Sequence, residues 1–538
     1  MQRRNFIQKT AIAGFSFAFL PFESCKNAAT GQGETAKFSL DEITLDELQK
    51  NFQSGQMTAR SVTQLYLDRI ATIDKSGPTL NSIIELNPDA LTIAESMDAE
   101  RKAGKIRGLL HGVPVLIKDN IDTADKMQTT AGALAMEGNI ASKDAFVVAQ
   151  LRAAGAVILG KTNLSEWANF RSTRSTSGWS SRGGQTHNPY ILDRSPCGSS
   201  SGSGAAVSAN LCVIAVGTET DGSIACPASM NGLVGIKPTV GLVSRAGIIP
   251  ISKTQDTAGP LSRTVRDAAI LLNILRGIDP NDAATTATYN GSSNPLTQKV
   301  DYTQFLDVNA LKGKRIGIEK TFLKHHEVID GLVKKAMDTM REKGATIIEV
   351  DYMSIGRKAG DAEFKVLQYE FKDGLNKYLA TANAKVKSLK EVIDFNLKNE
   401  AKAMPFFKQE TLINSEKLGS LDSKEYQEAF AKCQPVVRKY LDKLMKDNKL
   451  DALCGPATGA AWCNDLVNGD AWSGYGAYGP AAIAGYPSVT VPMGNANGLP
   501  IGLSFLGKAW DEGSLIGLGY AFEQATKGRT VPKFLNAL

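Results

Sequence analysis

Short apolar runs separated by glycine-rich turns are the feature that most constrains the fold of this chain. From about residue 106 the runs VPVLI, AVILG and CVIAVG alternate with helix-like stretches such as 144–154. Runs of this length are typical of strands buried on both faces, and their alternation with helices favours an α/β arrangement. We therefore predict an α/β core with buried strands.

The composition is that of an ordinary globular protein of 538 residues. Hydrophobic residues make up 43% and charged residues 22%, which provides enough apolar material for a large core. The formal net charge of +6 comes from 61 basic and 55 acidic residues, and the lysines are scattered rather than gathered in one block. We therefore expect no nucleic-acid partner.

The first 25 residues are typical of an export signal. A twin-arginine pattern lies at residues 3–7, and an apolar run follows over 10–22. This run is shorter than the roughly 20 residues that span a bilayer, so we expect cleavage and a soluble periplasmic protein. Cys25 also resembles a lipoprotein site, which would leave a lipid anchor as the membrane contact. The alternative is ordinary cleavage within the polar linker 26–37.

Residues 38–538 are expected to form a single domain. Thr44 and Glu47 have the spacing of a capping box, which predicts a helical N-terminal segment. From residue 451 onward the chain returns to Gly, Pro and β-branched residues. This change of composition indicates that the C-terminal part rejoins the sheet.

The region 300–450 is richer in Lys and Glu than the rest of the chain. Its pattern predicts a strand at 315–318, a helix at 328–343 ended by a glycine, and a second strand at 345–350. The remainder is expected to be helical. We interpret this region as a peripheral α/β elaboration that shapes access to the core.

A serine-rich run, CGSSSGSG, occupies residues 197–204. Taken alone it is compatible with a flexible linker, an anion-binding loop or a catalytic serine loop. It leads directly into a helix-like stretch and the apolar run CVIAVG, which a linker would not do, and the Gly-Lys-Ser/Thr of a Walker loop is absent. The context therefore favours a catalytic loop.

Residues 198–202 also match G-x-S-x-G, the nucleophile elbow of α/β-hydrolases, with Ser200 as the nucleophile. That fold places its catalytic histidine later in the chain. His325 and His326 are the only later histidines, and their lysine-flanked setting is typical of a solvated helix start. An esterase with this elbow is the alternative hypothesis.

Lys118 ends the apolar run 113–117 and precedes Asp119. A lysine there is usually the solvated end of a strand, since lysine heads mostly remain in water. Burial would disfavour its ammonium form and lower its pKa, leaving a neutral amine that can accept a proton. Lys118 is therefore a candidate general base.

The segment TETDGS at 218–223 follows an apolar strand and combines small, polar and turn-forming residues. Such a turn can point several backbone N–H groups in one direction and form an oxyanion hole. An ordinary polar strand-to-helix turn would have the same composition.

Three segments, GVPVLIKDNID, CGSSSGSGAAV and GTETDGSIACPASMNGLVGIKPT, resemble the amidase signature family in sequence and order. The resemblance covers about residues 40–530 and is weakest across 300–450; within the family the chain is most similar to bacterial peptide amidases. It implies a large mixed β-sheet flanked by helices on both faces.

The resemblance also implies roles for individual residues. Lys118 would be the base, Ser199 the bridging serine with a cis peptide bond, and Ser223 the nucleophile. Backbone N–H groups would form the oxyanion hole at Thr220, Asp221, Gly222 and Ser223. The implied reaction is hydrolysis of a carboxamide, such as a peptide C-terminal amide, to a carboxylate and ammonia through an acyl-enzyme. The substrate would be a small-molecule or peptide amide, and no cofactor or metal is expected.

Two other functions are compatible with the family resemblance. The chain could be an amidotransferase subunit that passes ammonia to a partner, or a binding protein without activity, although the export signal argues against work on cytoplasmic tRNA. The aromatic residues Trp167, Trp179 and Trp472 could line the substrate site or belong to the core.

The seven cysteines have no paired CxxC spacing, so neither a zinc site nor a dense disulfide framework is indicated. Cys454 and Cys463 could close a small loop, but two isolated thiols are the preferred interpretation. Cys197 stands where many members of the family have glycine, and Leu109 stands where a proline is common.

Overall fold

The computed structural model describes residues 38–288, 294–298 and 300–538. The chain divides into two compact units, Met1–Asp41 and Glu42–Leu538. The predicted signal, the linker and Cys25 lie outside the described residues. In the described part of the first unit, the backbone of Asp41 donates a hydrogen bond to Phe38 across 3.0 Å. All of the architecture below belongs to the second unit.

Eleven of the strands form one mixed sheet in the order β1-β3-β2-β6-β8-β7-β12-β13-β11-β9-β10. Strand β2 is parallel to β3 and β6, and β9 is parallel to β10 and β11, whereas the other neighbouring pairs are antiparallel. The prediction of a large mixed sheet is confirmed. The strands are β1 Ile83–Leu86, β2 Pro114–Lys118, β3 Val157–Thr162, β4 Trp179–Ser180, β5 Gly184–Gln185, β6 Ile214–Glu219, β7 Val234–Lys237, β8 Thr257–Ser262, β9 Arg315–Glu319, β10 Thr346–Val350, β11 Ala452–Pro456, β12 Ser488–Ala496 and β13 Leu499–Leu506.

Helices flank this sheet. The predicted capping box is present at the first of them, where the Thr44 and Glu47 side chains each accept a hydrogen bond from the other residue's backbone. The α-helices are α1 Leu45–Ser54, α2 Ala59–Arg69, α3 Ala90–Lys102, α4 Phe146–Ala153, α5 Ser201–Ser208, α6 Ala225–Met230, α7 Val265–Leu275, α8 Glu327–Glu342, α9 Met353–Thr381, α10 Leu389–Lys398, α11 Glu400–Ala403, α12 Glu410–Glu416, α13 Lys424–Lys432, α14 Gln434–Asp447, α15 Gly479–Ala484 and α16 Glu512–Thr526. Within the described residues, no helix has the length and apolar character needed to cross a membrane.

The region 300–450 is more closely joined to the core than its composition suggests. Its two strands, β9 and β10, pair with each other and continue the main sheet through β11. Strand β10 is the edge strand, so the region is peripheral in position but shares the sheet. Its longest helix, α9, reaches the candidate site described below.

The apolar runs that predicted strands lie in the buried centre of the sheet. Every residue of β2, β3 and β6 is buried, as is every residue of α5, the helix that follows the serine run. Strands covered on both faces need apolar residues at successive positions rather than at alternate ones. The polar residues at the ends of these strands are therefore held inside the protein.

Candidate active site

Lys118 is the last residue of β2 and lies between strands β3 and β6. Its side chain is fully buried, unlike the solvated lysine that usually ends a strand. The Lys118 Nζ lies 2.8 Å from the Ser199 Oγ, 3.0 Å from the Ser200 Oγ and 2.8 Å from the Thr218 Oγ1. The amine is thus surrounded by hydroxyl groups at hydrogen-bond distance.

Burial lowers the pKa of Lys118 to about 7, although the carboxylates of Asp256 and Glu219 act in the opposite direction. A neutral lysine donates two hydrogen bonds and accepts one, whereas an ammonium can only donate. Near neutral pH a large fraction of Lys118 is therefore able to accept a proton from a neighbouring hydroxyl.

Ser199 lies in the loop before α5. The Gly198–Ser199 peptide bond is cis, and the Ser199 carbonyl accepts a hydrogen bond from the backbone of Ser165 at 3.2 Å. The Ser199 side chain is fully buried. The loop therefore holds the Ser199 hydroxyl against the Lys118 amine.

Ser200 does not occupy the position of an exposed elbow nucleophile. Its side chain is fully buried, and its hydroxyl donates to the Thr218 carbonyl at 2.9 Å and accepts from the Thr218 N–H at 3.2 Å. Of the two later histidines, His325 is engaged elsewhere, since its Nε2 lies 2.7 Å from the Ser473 carbonyl. This geometry disfavours the elbow hypothesis.

Ser223 lies at the end of the turn that follows β6. The Ser200 N–H donates to the Ser223 carbonyl at 3.3 Å, so the serine loop and this turn are adjacent. Among the described residues, neither Ser199 nor Lys118 makes a hydrogen bond to the Ser223 hydroxyl. The structure thus joins Lys118 to Ser199 directly and places Ser223 on the neighbouring turn.

The backbone of this turn is arranged to receive an acceptor. The N–H groups of Asp221, Gly222 and Ser223 donate to none of the residues that the structure describes, whereas the next two N–H groups along the chain donate to the Glu219 carboxylate. Gly222 has φ +80°, and a Cβ there would lie 2.3 Å from the Tyr478 ring. Glycine is therefore required for the turn to pack in this form.

A disulfide bond joins Cys197 to Cys226, with their Cα atoms 5.8 Å apart. It ties the start of the serine loop to the helix that follows Ser223, and no spacing rule in the sequence indicated it. The φ of Cys197 is +56°, a conformation that favours glycine, which accounts for the glycine common in the family. Cys454 and Cys463 are free, which confirms the interpretation of two isolated thiols.

A cavity of about 280 Å³ has Phe170, Phe364 and Trp472 among its lining residues, together with polar side chains such as Asp470. Trp472 is 52% exposed, whereas Trp167 and Trp179 are buried. Of the three tryptophans singled out from the sequence, one lines this cavity and the other two belong to the core.

Asp470 connects the cavity wall to the serine loop. Its carboxylate accepts hydrogen bonds from the Ser177 backbone at 2.9 Å and the Ser177 hydroxyl at 2.6 Å. A Cβ on Gly198 would lie 3.2 Å from that same hydroxyl. The Ser177 side chain therefore lies between Asp470 in the cavity wall and Gly198, the residue that precedes Ser199.

The described residues contain no group of three or more His, Cys, Asp or Glu side chains placed to hold a metal ion.

Comparison with known proteins identifies the class. A family model described as Amidase matches residues 61–516. A probable amidase of Arabidopsis thaliana is 42% identical over 93% of this chain and 93% of that protein. The chain therefore belongs to the amidase family, and it is an enzyme that hydrolyses amide bonds.

Solved structures agree with this assignment. The native peptide amidase from Stenotrophomonas maltophilia is 46% identical, has a TM-score of 0.86, and covers 92% of this chain and 99% of its own. An amidase family protein from Bacillus anthracis is 37% identical, with a TM-score of 0.81, over 92% of this chain and 93% of its own.

Proposed function

We propose that this amidase removes the C-terminal amide from peptides by a Ser-Ser-Lys mechanism. The observation that carries the proposal is the fully buried Lys118 with its Nζ 2.8 Å from the Ser199 Oγ. An amide is attacked only by an activated hydroxyl, so a serine nucleophile needs a neighbouring base. A buried lysine with a pKa of about 7 can supply that base at neutral pH.

The proton moves along a relay of three side chains. Neutral Lys118 accepts the proton of Ser199 while Ser199 accepts that of Ser223, whose Oγ attacks the carbonyl carbon. The relay then returns the proton to the departing nitrogen, which leaves as ammonia. Water hydrolyses the resulting ester of Ser223 by the same route and releases the carboxylate. The contact between Ser199 and Ser223 is expected to tighten when substrate is bound.

The turn after β6 stabilises the tetrahedral intermediate. Its oxyanion would be held by backbone N–H groups among Thr220, Asp221, Gly222 and Ser223, three of which donate to no described residue. Loss of one such donor typically costs about 10²- to 10³-fold in rate. The rigid packing of Gly222 against Tyr478 keeps these donors in place.

Two observations support a peptide substrate. The Stenotrophomonas maltophilia relative is a peptide amidase, and the match covers 99% of its chain. The cavity that Phe170, Phe364 and Trp472 help to line is large enough for a side chain of a peptide, and its aromatic and polar lining residues offer both apolar contacts and hydrogen-bond partners.

The proposal is tested by ammonia release from the purified full-length chain. The substrates are a peptide amide, a long-chain fatty amide and glutamine, with Ser223→Ala as the control for each. We expect release from the peptide amide and its loss in Ser223→Ala. Release of ammonia by the chain alone also separates a hydrolase from an amidotransferase subunit that needs a partner.

Other outcomes would change the proposal in defined ways. Preference for the fatty amide or glutamine would replace the substrate and leave the mechanism. Activity that survives Ser223→Ala but is lost in Ser200→Ala would support the elbow mechanism. The absence of release from all three amides would contradict the proposed function.

Export to the periplasm is the second part of the proposal, and it rests on the twin-arginine pattern at 3–7 and the apolar run at 10–22. The test is the mass of the mature N-terminus after expression of the full chain in a bacterium, with Arg3 and Arg4 both changed to Lys as the control. A cleaved chain in the periplasm supports export. A lipid-modified Cys25 would establish an anchor, and an uncleaved cytoplasmic chain would contradict export.

A further inference from the structure

The hydroxyl of Thr218 lies beside the Lys118 amine and connects it to Asn120. Thr218 belongs to β6 and is 7% exposed, and Asn120 lies two residues after β2 and is 3% exposed. Thr218 Oγ1 lies 2.8 Å from Lys118 Nζ and 3.0 Å from Asn120 Nδ2, and these are its two hydrogen-bond partners among the described residues. A buried hydroxyl proton without an acceptor is costly, so the Thr218 proton has to go to one of these two side chains.

The proton of the Ser200 hydroxyl already has an acceptor. Ser200 donates to the Thr218 carbonyl at 2.9 Å, and a hydroxyl has one proton to give. Ser200 Oγ, 3.0 Å from Lys118 Nζ, is therefore an acceptor of one Lys118 N–H. The neutral amine has one further N–H and one lone pair.

The proposed relay determines how the second N–H and the lone pair are used. The lone pair has to face Ser199, whose proton it takes, so the second N–H needs another acceptor. Thr218 Oγ1 at 2.8 Å is the nearer one, since the Thr218 carbonyl lies at 3.3 Å and already accepts from Ser200. If Thr218 instead gave its own proton to Lys118, it would occupy the lone pair that Ser199 needs.

The Asn120 side chain carries an acceptor for the Thr218 proton. Asn120 Oδ1 is buried and has no hydrogen-bond partner among the residues that the structure describes. The terminal torsion of asparagine has two broad minima related by a half-turn, and this half-turn places Oδ1 where Nδ2 faces Thr218. The Asn120 backbone is held meanwhile by Ile249, whose N–H donates to the Asn120 carbonyl at 2.9 Å. With Oδ1 toward Thr218, the lone pair of Lys118 is left to Ser199.

We propose that Asn120 and Thr218 are a pair of positioning residues that direct the lone pair of Lys118 toward Ser199, with Asn120 Oδ1 accepting the Thr218 proton in the working enzyme. This inference rests on the proposed function, because it assumes that Lys118 takes its proton from Ser199. The same arrangement suits the ammonium formed by that transfer, since its three N–H groups then meet three hydroxyl oxygens that can all accept.

The test of Thr218 measures kcat/KM for a peptide amide as a function of pH. Thr218→Val removes the hydroxyl, so we expect kcat/KM above the acid limb to fall about 10- to 100-fold. The acid limb should move to lower pH, because the Lys118 ammonium loses an acceptor. Thr218→Ser restores the hydroxyl and should return both the rate and the limb to near their wild-type values.

The test of Asn120 uses two substitutions with opposite expected shifts. Asn120→Leu removes the acceptor for the Thr218 proton, so it should lower kcat/KM and move the acid limb downward, as Thr218→Val does. Asn120→Asp keeps an acceptor and adds a negative charge, so activity above the limb should be retained and the limb should move upward. Thermal unfolding of each variant verifies that it is folded.

The other charges near this pair are unchanged in the variants. Glu219, Asp256 and Arg245 line the same small cavity as the Asn120 and Thr218 side chains, and the two carboxylates raise the pKa of Lys118. A shift of the acid limb in the valine, serine and leucine variants therefore reports the hydrogen bonds.

Thr490→Val is the matched control. Thr490 is a fully buried threonine of the same sheet, and its hydroxyl lies 2.7 Å from the Ser504 hydroxyl, so its loss should leave the rate and the acid limb unchanged. A folded Thr218→Val or Asn120→Leu enzyme with the wild-type rate and limb would overturn the inference. So would a Thr218→Val enzyme more active than wild type, because the Thr218 proton would then occupy the lone pair. A wild-type enzyme that releases no ammonia from any amide would overturn the proposed function itself.

Discussion

Lys118 and Lys161 lie on neighbouring strands of the same sheet and are both fully buried. Strand β2 runs parallel to β3, with Ile117 opposite Lys161 and Lys118 opposite Thr162. Because side chains alternate along a strand, the two lysines project to opposite faces of the sheet. They share burial and backbone setting and differ in what surrounds the amine.

Lys118 is surrounded by hydroxyl groups. Lys161 donates to the Ile121 carbonyl at 2.6 Å and lies 3.0 Å from the Thr129 Oγ1. Burial lowers the pKa of both lysines, but four carboxylates oppose the shift at Lys161, with Asp119 the strongest, against two at Lys118. Burial alone is therefore not enough to make a lysine a general base. A hydroxyl partner that can give up a proton is also required, and only Lys118 has one linked to the serine loop.

Removing the amine of Lys118 should have the largest effect on activity. Lys118→Met keeps the chain length and apolar stem and removes the amine, so kcat/KM for an amide should fall about 10²- to 10⁴-fold. The fold should be retained, because the hydroxyl groups left behind can bond to one another. Steady-state kinetics and circular dichroism measure the two effects. Activity within a few-fold of wild type would remove Lys118 from the mechanism.

Removing the amine of Lys161 should affect stability more than activity. Lys161→Met removes the hydrogen bond to the buried Ile121 carbonyl and one of the two cations that act on Asp119, the other being Arg182 at 3.8 Å, and leaving a buried acceptor unpaired costs about 1–3 kcal/mol. We expect that loss in the free energy of unfolding, measured by urea denaturation, with activity per folded molecule reduced less than in Lys118→Met. The reverse pattern, a stable but inactive protein, would show that the two lysines do not differ as described.

The Cys197–Cys226 disulfide holds the loop that contains Ser199, the hydrogen-bond partner of Lys118. The Cys197–Cys226 disulfide closes a segment with a sequence separation of 29, which corresponds to about 3–4 kcal/mol in a chain-entropy estimate. Replacing both cysteines with alanine should lower the free energy of unfolding by up to that amount, and chemical reduction of the wild type should do the same. Cys454→Ala, at a free cysteine, is the matched control. No change in the double variant would mean that the loop is held without the bond.

The pH dependence of kcat/KM should report the protonation of Lys118. Lys118 acts in its neutral form, so kcat/KM should fall as the pH drops below about 7 and the ammonium forms. The Asp256 carboxylate raises the pKa of Lys118, so Asp256→Asn should move this acid limb downward by roughly one pH unit. A pH profile of both proteins measures the shift. A limb that stays in place would assign the titration to another group.

Elements with a local pattern could be predicted closely from the sequence. The helix expected at 328–343 is Glu327–Glu342, and the strand expected at 345–350 is Thr346–Val350. The candidate residues Lys118, Ser199 and Ser223 were identified from motifs in the chain, and the structure places them on adjacent elements. Each of these inferences depends on neighbours in sequence or on a recognised order of segments.

The residues that sequence reasoning missed depend on contacts between distant segments. Cys197 and Cys226 are joined across a sequence separation of 29, and Gln255 donates a hydrogen bond to Glu363, which lies 108 positions later in the chain. Region 300–450 was expected to be peripheral because its composition differs, yet its strands continue the main sheet. Composition indicates exposure on average and says little about which strand lies next to which.

By itself, the sequence determined the α/β character of the core, the family and the residues that can carry the chemistry, because apolar runs, turns and motifs are properties of short segments. Only the folded chain shows that Lys118 is buried among hydroxyl groups, that Lys161 donates to the Ile121 carbonyl, and that a disulfide joins the serine loop to the helix after Ser223. The physical reason is that desolvation and electrostatic coupling depend on which atoms surround a group in space, and those atoms come from parts of the chain that no local pattern brings together.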